Sequence, residues 1–310
     1  RTTDGEVSVR EFPSETATEA RAELVKAMIR AVVFLQRDAQ VPHFSFLPYR
    51  YLIVVLTRFF AHFPTPTPTA IRSLRRWFWR AAVLGPQVTK GNITSVTRTL
   101  CNRIDPSNEW NSIEGLLEVL GSDAAAPLQI GAFRTNQAAT RILLSAMWDL
   151  GPCDIDLSEP GVARRYELDE LIDELGEGSS ALPVARTIID SRDFSDKERS
   201  RPSNRLLILD RDAGPVDPPL ESLTLLAQRA LAGDSESATI LESHGIEGDA
   251  AESLASGDPH AFLVQRDSVL QARLTAFVVR QMEWEFEDTP PLETLFFDEE
   301  DDALLRDDVV

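Results

Sequence analysis

The sequence predicts a mainly α protein, a helical bundle with one small irregular segment. Three observations carry that prediction. Apolar residues recur at three- and four-residue spacing over most of the chain, helix start and stop signals flank those stretches, and only two short apolar runs suit strands. With 310 residues, 43% of them hydrophobic, the chain can bury a sizeable core and has room for two domains.

Residues 1–15 show no periodicity and read as a disordered lead-in. Thr16 and Glu19 then form an S/T-x-x-E capping box, behind which Leu24, Met28, Ile29, Val32 and Leu35 recur at helical spacing up to Arg37. A second helix is expected from near Pro48 to before Pro64. The Tyr51–Phe60 stretch is apolar almost all round, as a buried central helix is. Pro64 to Thr69 reads as a stiff, exposed spacer, and a third, basic helix follows over 71–84, stopped by Gly85-Pro86. Residues 86–110 look polar and turn-rich. Helices over 111–120 and 136–150 each end just before a glycine, Gly121 and Gly151.

From 151 to 217 the pattern breaks into short apolar pieces, of which 184–189 and 206–209 suit strands as well as helix. Helices resume at about 219–232, 236–244 and 248–256. A last long one opens at Asp258-Pro259, with Phe262, Leu263, Val269, Leu270, Leu274, Phe277 and Val278 as its apolar stripe. The expected organisation is a helical domain over 16–150, an irregular segment plus C-terminal bundle over 151–284, and an acidic tail over 285–310.

Charge divides the same way. Residues 1–110 carry 15 Lys+Arg against 9 Asp+Glu, or +6, and residues 111–310 carry 16 against 41, or −25. The stretch 283–310 holds 12 Asp+Glu and one Arg, interrupted by Leu295, Phe296 and Phe297. Such a tail reads either as a partner-docking segment or as a cover for the chain's own basic face. No run approaches the roughly 20 apolar residues that a membrane helix needs. Cys101 and Cys153 lack a CxxC partner, so we expect reduced thiols, a cytoplasmic location and no membrane partner. The chain begins at Arg1, and we expect it to be a piece of a longer protein.

The strongest chemical feature is Arg72-Ser-Leu-Arg-Arg-Trp-Phe-Trp-Arg80. On a helix, Ile71, Leu74, Trp77 and Phe78 share one face, while Arg72, Arg76 and Arg80 line the opposite side with Arg75 and Trp79 beside them. That stripe suits DNA, guanidinium groups pairing with phosphate oxygens and Trp79 stacking on a base. The competing reading has the arginines bridging nearby carboxylates.

Histidine is sparse: His43, His62, His244 and His260, with none from 63 to 243. No zinc, nucleotide-loop or serine-hydrolase motif occurs, so no catalytic residue, metal site or cofactor is expected. His244 and His260 read as structural. Asp190, Asp193, Asp196 and Glu198 form an acidic cluster interleaved with Arg192, Lys197 and Arg199, which favours a self-neutralised loop over a Mg²⁺ site.

Three stretches together resemble a known family: Phe46 to Phe60 with Arg76 to Arg80; Ser203 to Leu207; and Leu241 to Ile246 with Gly257 to Leu263 and Arg266. Over most of residues 20–285 the chain resembles the C-terminal portion of GmrSD-like bacterial modification-dependent restriction and phage-defence proteins. There a ParB-like nucleotide-hydrolysing domain precedes a helical region and an HNH-type nuclease domain. The Asp-Gly-Gln-Gln-Arg signature of the first domain is absent here. Arg186 to Asp190 stands where the nuclease His-Ile-x-Pro stretch belongs, and Asn204 to Leu207 matches its second part. Without the histidine that acts as general base, the resemblance implies a degenerate, inactive nuclease-like segment with vestigial Asp190, Asn204 and Arg205.

Three functions follow as expectations. The first is a non-catalytic module of a DNA-directed defence protein, contacting DNA or docking an upstream domain. The second is an interaction scaffold whose acidic tail binds a partner protein. The third is a metal-dependent nuclease with an atypical site.

Overall fold

The computed structural model describes residues 16–85, 92–121, 128–155, 163–190, 194–209 and 219–283. The lead-in 1–15, Arg192, Asp193 and the tail 285–310 lie outside them. The described chain is mainly helical. Helices α1 (Ala17–Arg37), α2 (Arg50–His62), α3 (Pro68–Leu84), α4 (Ile93–Cys101), α5 (Glu109–Leu120) and α6 (Ala138–Asp149) precede α7 (Leu168–Leu175) and the short α8 (Asp196–Arg199). Helices α9 (Leu220–Leu231), α10 (Ser235–Ser243), α11 (Asp249–Ala255) and α12 (Pro259–Met282) complete the fold. The two suspected strands are real. β1 (Ala185–Thr187) and β2 (Arg205–Leu207) pair antiparallel, Arg186 opposite Leu206.

Two apolar cores result, and α12 threads both. Its first turns put Phe262 and Leu263 against Ile188, Leu206, Leu226 and Leu241, whereas Leu270 to Met282 pack with α1, α2, α3 and α6. The first core also takes in Leu171, Val184, Leu207 and Leu209, so it reaches across the boundary expected at residue 150.

Local differences from the expected elements have local causes. Helix α4 forms where polar turns were expected, because Asn92 caps Ser95 N–H and only Val96 and Leu100 face inward, too few for a visible stripe. Helix α3 starts at Pro68, inside the expected spacer, since Thr67 caps Ala70 N–H and Pro fits a first helical turn. Gly85, at φ 73°, closes it as expected.

Helix α1 is the largest departure. Its capping box is present, but the buried face is Ala27, Ala31, Phe34 and Leu35, packed on α2. Of the stripe that marks this helix in the sequence, Leu24, Met28, Ile29 and Val32 point outward.

Candidate functional site

Helix α3 presents its basic side to the end of α12 rather than to solvent. Trp79 is fully buried, with its ring edge-on to Phe277 at 4.9 Å and Nε1 donating to Ala39 O at 3.0 Å. Arg75 and Arg76 donate to the Glu283 carboxylate at 2.5 and 3.2 Å, and Arg80 donates to Met282 O and Glu283 O at 3.1 and 3.2 Å. A helix C-terminus leaves its last carbonyls unpaired and carries partial negative charge, which these guanidinium groups satisfy. The stripe expected to meet DNA is thus turned inward. Trp79 has no face for a base, Arg76 and Arg80 are buried, Arg75 is half-buried, and Arg72 alone of the five is exposed. The reading in which the arginines bridge carboxylates describes this geometry. Glu283→Ala, which deprives the nearly buried Arg76 of a carboxylate partner, is expected to lower the unfolding free energy by about 1–3 kcal/mol in urea titration.

The nuclease-like residues come together at the β1–β2 hairpin in structural roles. Asn204 is fully buried; its Oδ1 accepts from Ile189 N at 2.8 Å and its Nδ2 donates to Ile189 O at 3.0 Å, as a neighbouring strand would. Arg205 donates to Thr187 Oγ1 and lies over the Phe133 ring at 5.1 Å. Burial lowers its pKa, and the nearby exposed Asp190 partly restores it. Within the acidic cluster, Asp196 pairs with Arg199, and Ser195 caps α8 against Glu198. The hydrogen bonds from Ser195, with one from His260, pull the Glu198 carboxyl down to about 2. His260 Nδ1 meets Glu198 Oε1 at 2.9 Å and its ring stacks on Phe194. Among the described residues no group of three His, Cys, Asp or Glu is placed to hold a metal ion.

The sequence reading missed the polar centre of the second core. Arg266, fully buried a third of the way along α12, donates to His244 O at 2.8 Å, to Arg205 O at 2.8 Å and to Ser203 O. It therefore ties α12 to the α10–α11 turn and to β2. Its signal was a lone charge inside an apolar stripe, between Leu263 and Leu270. His244 is likewise buried, its Nε2 2.7 Å from Cys153 O.

Two open surfaces stand out among the described residues. A groove of about 1050 Å³ runs beside α12, lined by Ile130, Lys197, Arg201, Asp267, Gln271 and Val279. It is partly self-paired: Arg201 meets Asp267 at 3.2 Å, and the Gln271 side chain bridges Leu128 O and Ile130 N. The other is the outer side of α1, where Leu24, Val25, Met28, Ile29, Val32 and Val33 are 37–58% exposed. It continues through Val32 into an apolar slot of about 250 Å³, walled by Leu35, Val41, Phe44, Leu47, Ile53 and Ile172. Exposed Arg50 sits over Phe44, 5.3 Å from the ring centroid.

Comparison with protein-family models, with curated proteins and with solved structures finds no match for this chain. The resemblance to GmrSD-like proteins therefore rests on the quoted residues alone. Among the described residues no helix is long and apolar enough to cross a membrane.

Proposed function

We propose that this chain is a non-catalytic helical scaffold that docks a protein segment on the outer face of α1 and in the slot beside it. The observation that carries this reading is the distribution of side chains on α1. Ala27, Ala31, Phe34 and Leu35 face α2, six further apolar residues face away from it, and Glu19, Glu23, Lys26, Arg30 and Arg37 share the narrow sector left over, with Arg21 the one charged residue of the helix on the outer apolar side. A helix apolar on so much of its circumference is built to be covered on two sides. Exposed patches of this extent on one element mark interaction surfaces, and the slot gives an apolar anchor residue a place to enter. The side chains that the nuclease expectation relied on are engaged elsewhere, Asn204 in backbone pairing and Arg205 in the hairpin.

The test is the double change Met28→Asp/Ile29→Asp in the full chain. Both positions are exposed and lie outside the two apolar cores, so the variant should remain folded, with a circular-dichroism spectrum like that of the wild type. In-cell cross-linking of a tagged chain should then show specific partners lost from the variant, and equal capture by both chains would sink the proposal. The DNA-directed reading makes a separate prediction. Wild type would bind a plain duplex with an affinity that falls steeply with salt, and Arg72→Glu, at the one exposed arginine of the stripe, would weaken that binding. We expect fluorescence anisotropy to show neither effect.

A further inference from the structure

The described chain ends at Glu283, close to the C-terminal end of α1 and its outer apolar face. We propose that the chain's own C-terminal segment, residues 292–305, lies along the outer face of α1 with an apolar side chain in the slot, so that the scaffold is self-covered at rest. This inference rests on the docking reading of α1 and names the resident occupant of that face.

Three observations support it. The first is where the described chain ends. Trp79 Nε1 donates to Ala39 O, Gln281 Nε2 donates to Gln40 Oε1, and Arg75 acts electrostatically on Asp38 while donating to Glu283. Residue 283 is thereby fixed beside the C-terminal end of α1, one turn beyond Val32 and Val33. The second is length. Helix α1 has 21 residues, or about 30 Å at 1.5 Å per residue, and 27 residues follow Glu283. Even wound entirely as helix they reach about 40 Å, enough to run back along α1.

The third is complementarity. Residues 284–310 carry 11 Asp+Glu and one Arg, with Leu292, Leu295 and Phe296 at the i, i+3, i+4 spacing by which an amphipathic helix lays one face into an apolar groove. Beside the α1 face stand Arg30 and Arg37, which make no hydrogen bond or salt bridge among the described residues beyond the electrostatic action of Arg37 on neighbouring Asp38, and Arg50 marks the mouth of the slot. Asp169 and Asp173 of α7 flank Ile172 on the opposite wall. That wall repels carboxylates, so the apolar residues of the segment face the slot and its acids face Arg30 and Arg37. An outside partner then has to displace the segment.

The experiment is site-specific photo-cross-linking in the full chain. A benzophenone amino acid replaces Ile29, with a control in which it replaces Glu23 in the charged sector, and the products are separated by size and mapped by mass spectrometry. The expected result is a monomer-sized product from the Ile29 position joined to 292–305. It should be absent from the Glu23 position and lost in Leu295→Ser/Phe296→Ser/Phe297→Ser. A dimer-sized product, whether α1 to α1 or α1 to a second tail, overturns the proposal and assigns the face to a second copy. A chain with no link from Ile29 to 292–305 also overturns it and leaves the face for an outside partner. That outcome is distinct from failure of the docking reading, which shows in the capture experiment with Met28→Asp/Ile29→Asp.

Discussion

Replacing Arg266 by methionine should lower the unfolding free energy by about 3–5 kcal/mol, because three backbone carbonyls at the second core lose their donor together. The substitution keeps much of the apolar stem that passes between α12 and the second core. What it removes is the fork of donors serving Ser203 O, Arg205 O and His244 O. Those acceptors are backbone atoms and cannot be replaced, so each is left with its desolvation cost of about 1–3 kcal/mol partly unmet. Burial of Arg266 itself is costly: its pKa is pulled down to about 9, with neighbouring Asp267 opposing the shift. That value still lies above neutral pH, so the charge persists and the carbonyl dipoles must hold it. Lysine should not rescue, because a point charge on a flexible stem cannot reach carbonyls on three separate elements together. Urea titration of wild type, Arg266→Met and Arg266→Lys decides this. A loss below about 1 kcal/mol for methionine would mean that the three carbonyls find other donors.

Much of the fold was legible, for reasons that individual elements make plain. The capping box at Thr16, the Asp258-Pro259 start and the glycine stop at Gly85 are local signals, and the structure has a helix boundary at each. The apolar runs at 184–189 and 206–209 left helix and strand open, and only pairing with each other settles them as strands. What periodicity cannot tell is which of two apolar faces is the inner one. On α1 the large residues Leu24, Met28 and Ile29 dominate the pattern, yet the small Ala27 and Ala31 let the helix approach α2 closely and so take the buried side. The same limit governs α3. A stripe of arginines has the same spacing whether it awaits phosphate or a helix end, and the partner that closes it, Glu283, lies more than 200 residues away. The candidate docking face was therefore visible as a set of residues but not as a surface.

Acidification offers the second large effect, and its sign follows from His244. The imidazole is wholly enclosed, and burial, opposed by its bond to Cys153 O and reinforced by the nearby Arg266 charge, pushes its pKa down to about 4. In the unfolded chain it titrates near 6.5. Between those values the unfolded chain takes up a proton that the folded one refuses, so stability is complete above about pH 6.5 and is lost as pH falls toward 4. One group displaced this far contributes about 3 kcal/mol across that window. His43, also lowered by burial, acts in the same direction. Asp38, raised by burial, opposes it near the bottom of the window. The lowered carboxyls Glu198, Asp105 and Asp234 begin to lose their contributions as pH falls through their ordinary values near 4, at the foot of the histidine step, and lose the rest below it. His244→Gln separates these contributions, since its amide can still donate to Cys153 O but takes up no proton here. Chemical denaturation of both chains between pH 7 and pH 4 should show the variant losing far less stability than wild type across that range. Parallel decline would assign the pH dependence to other groups. A steeper wild-type curve would place it at the junction of α10, Cys153 and Arg266, where an imidazolium would stand beside a guanidinium that cannot leave.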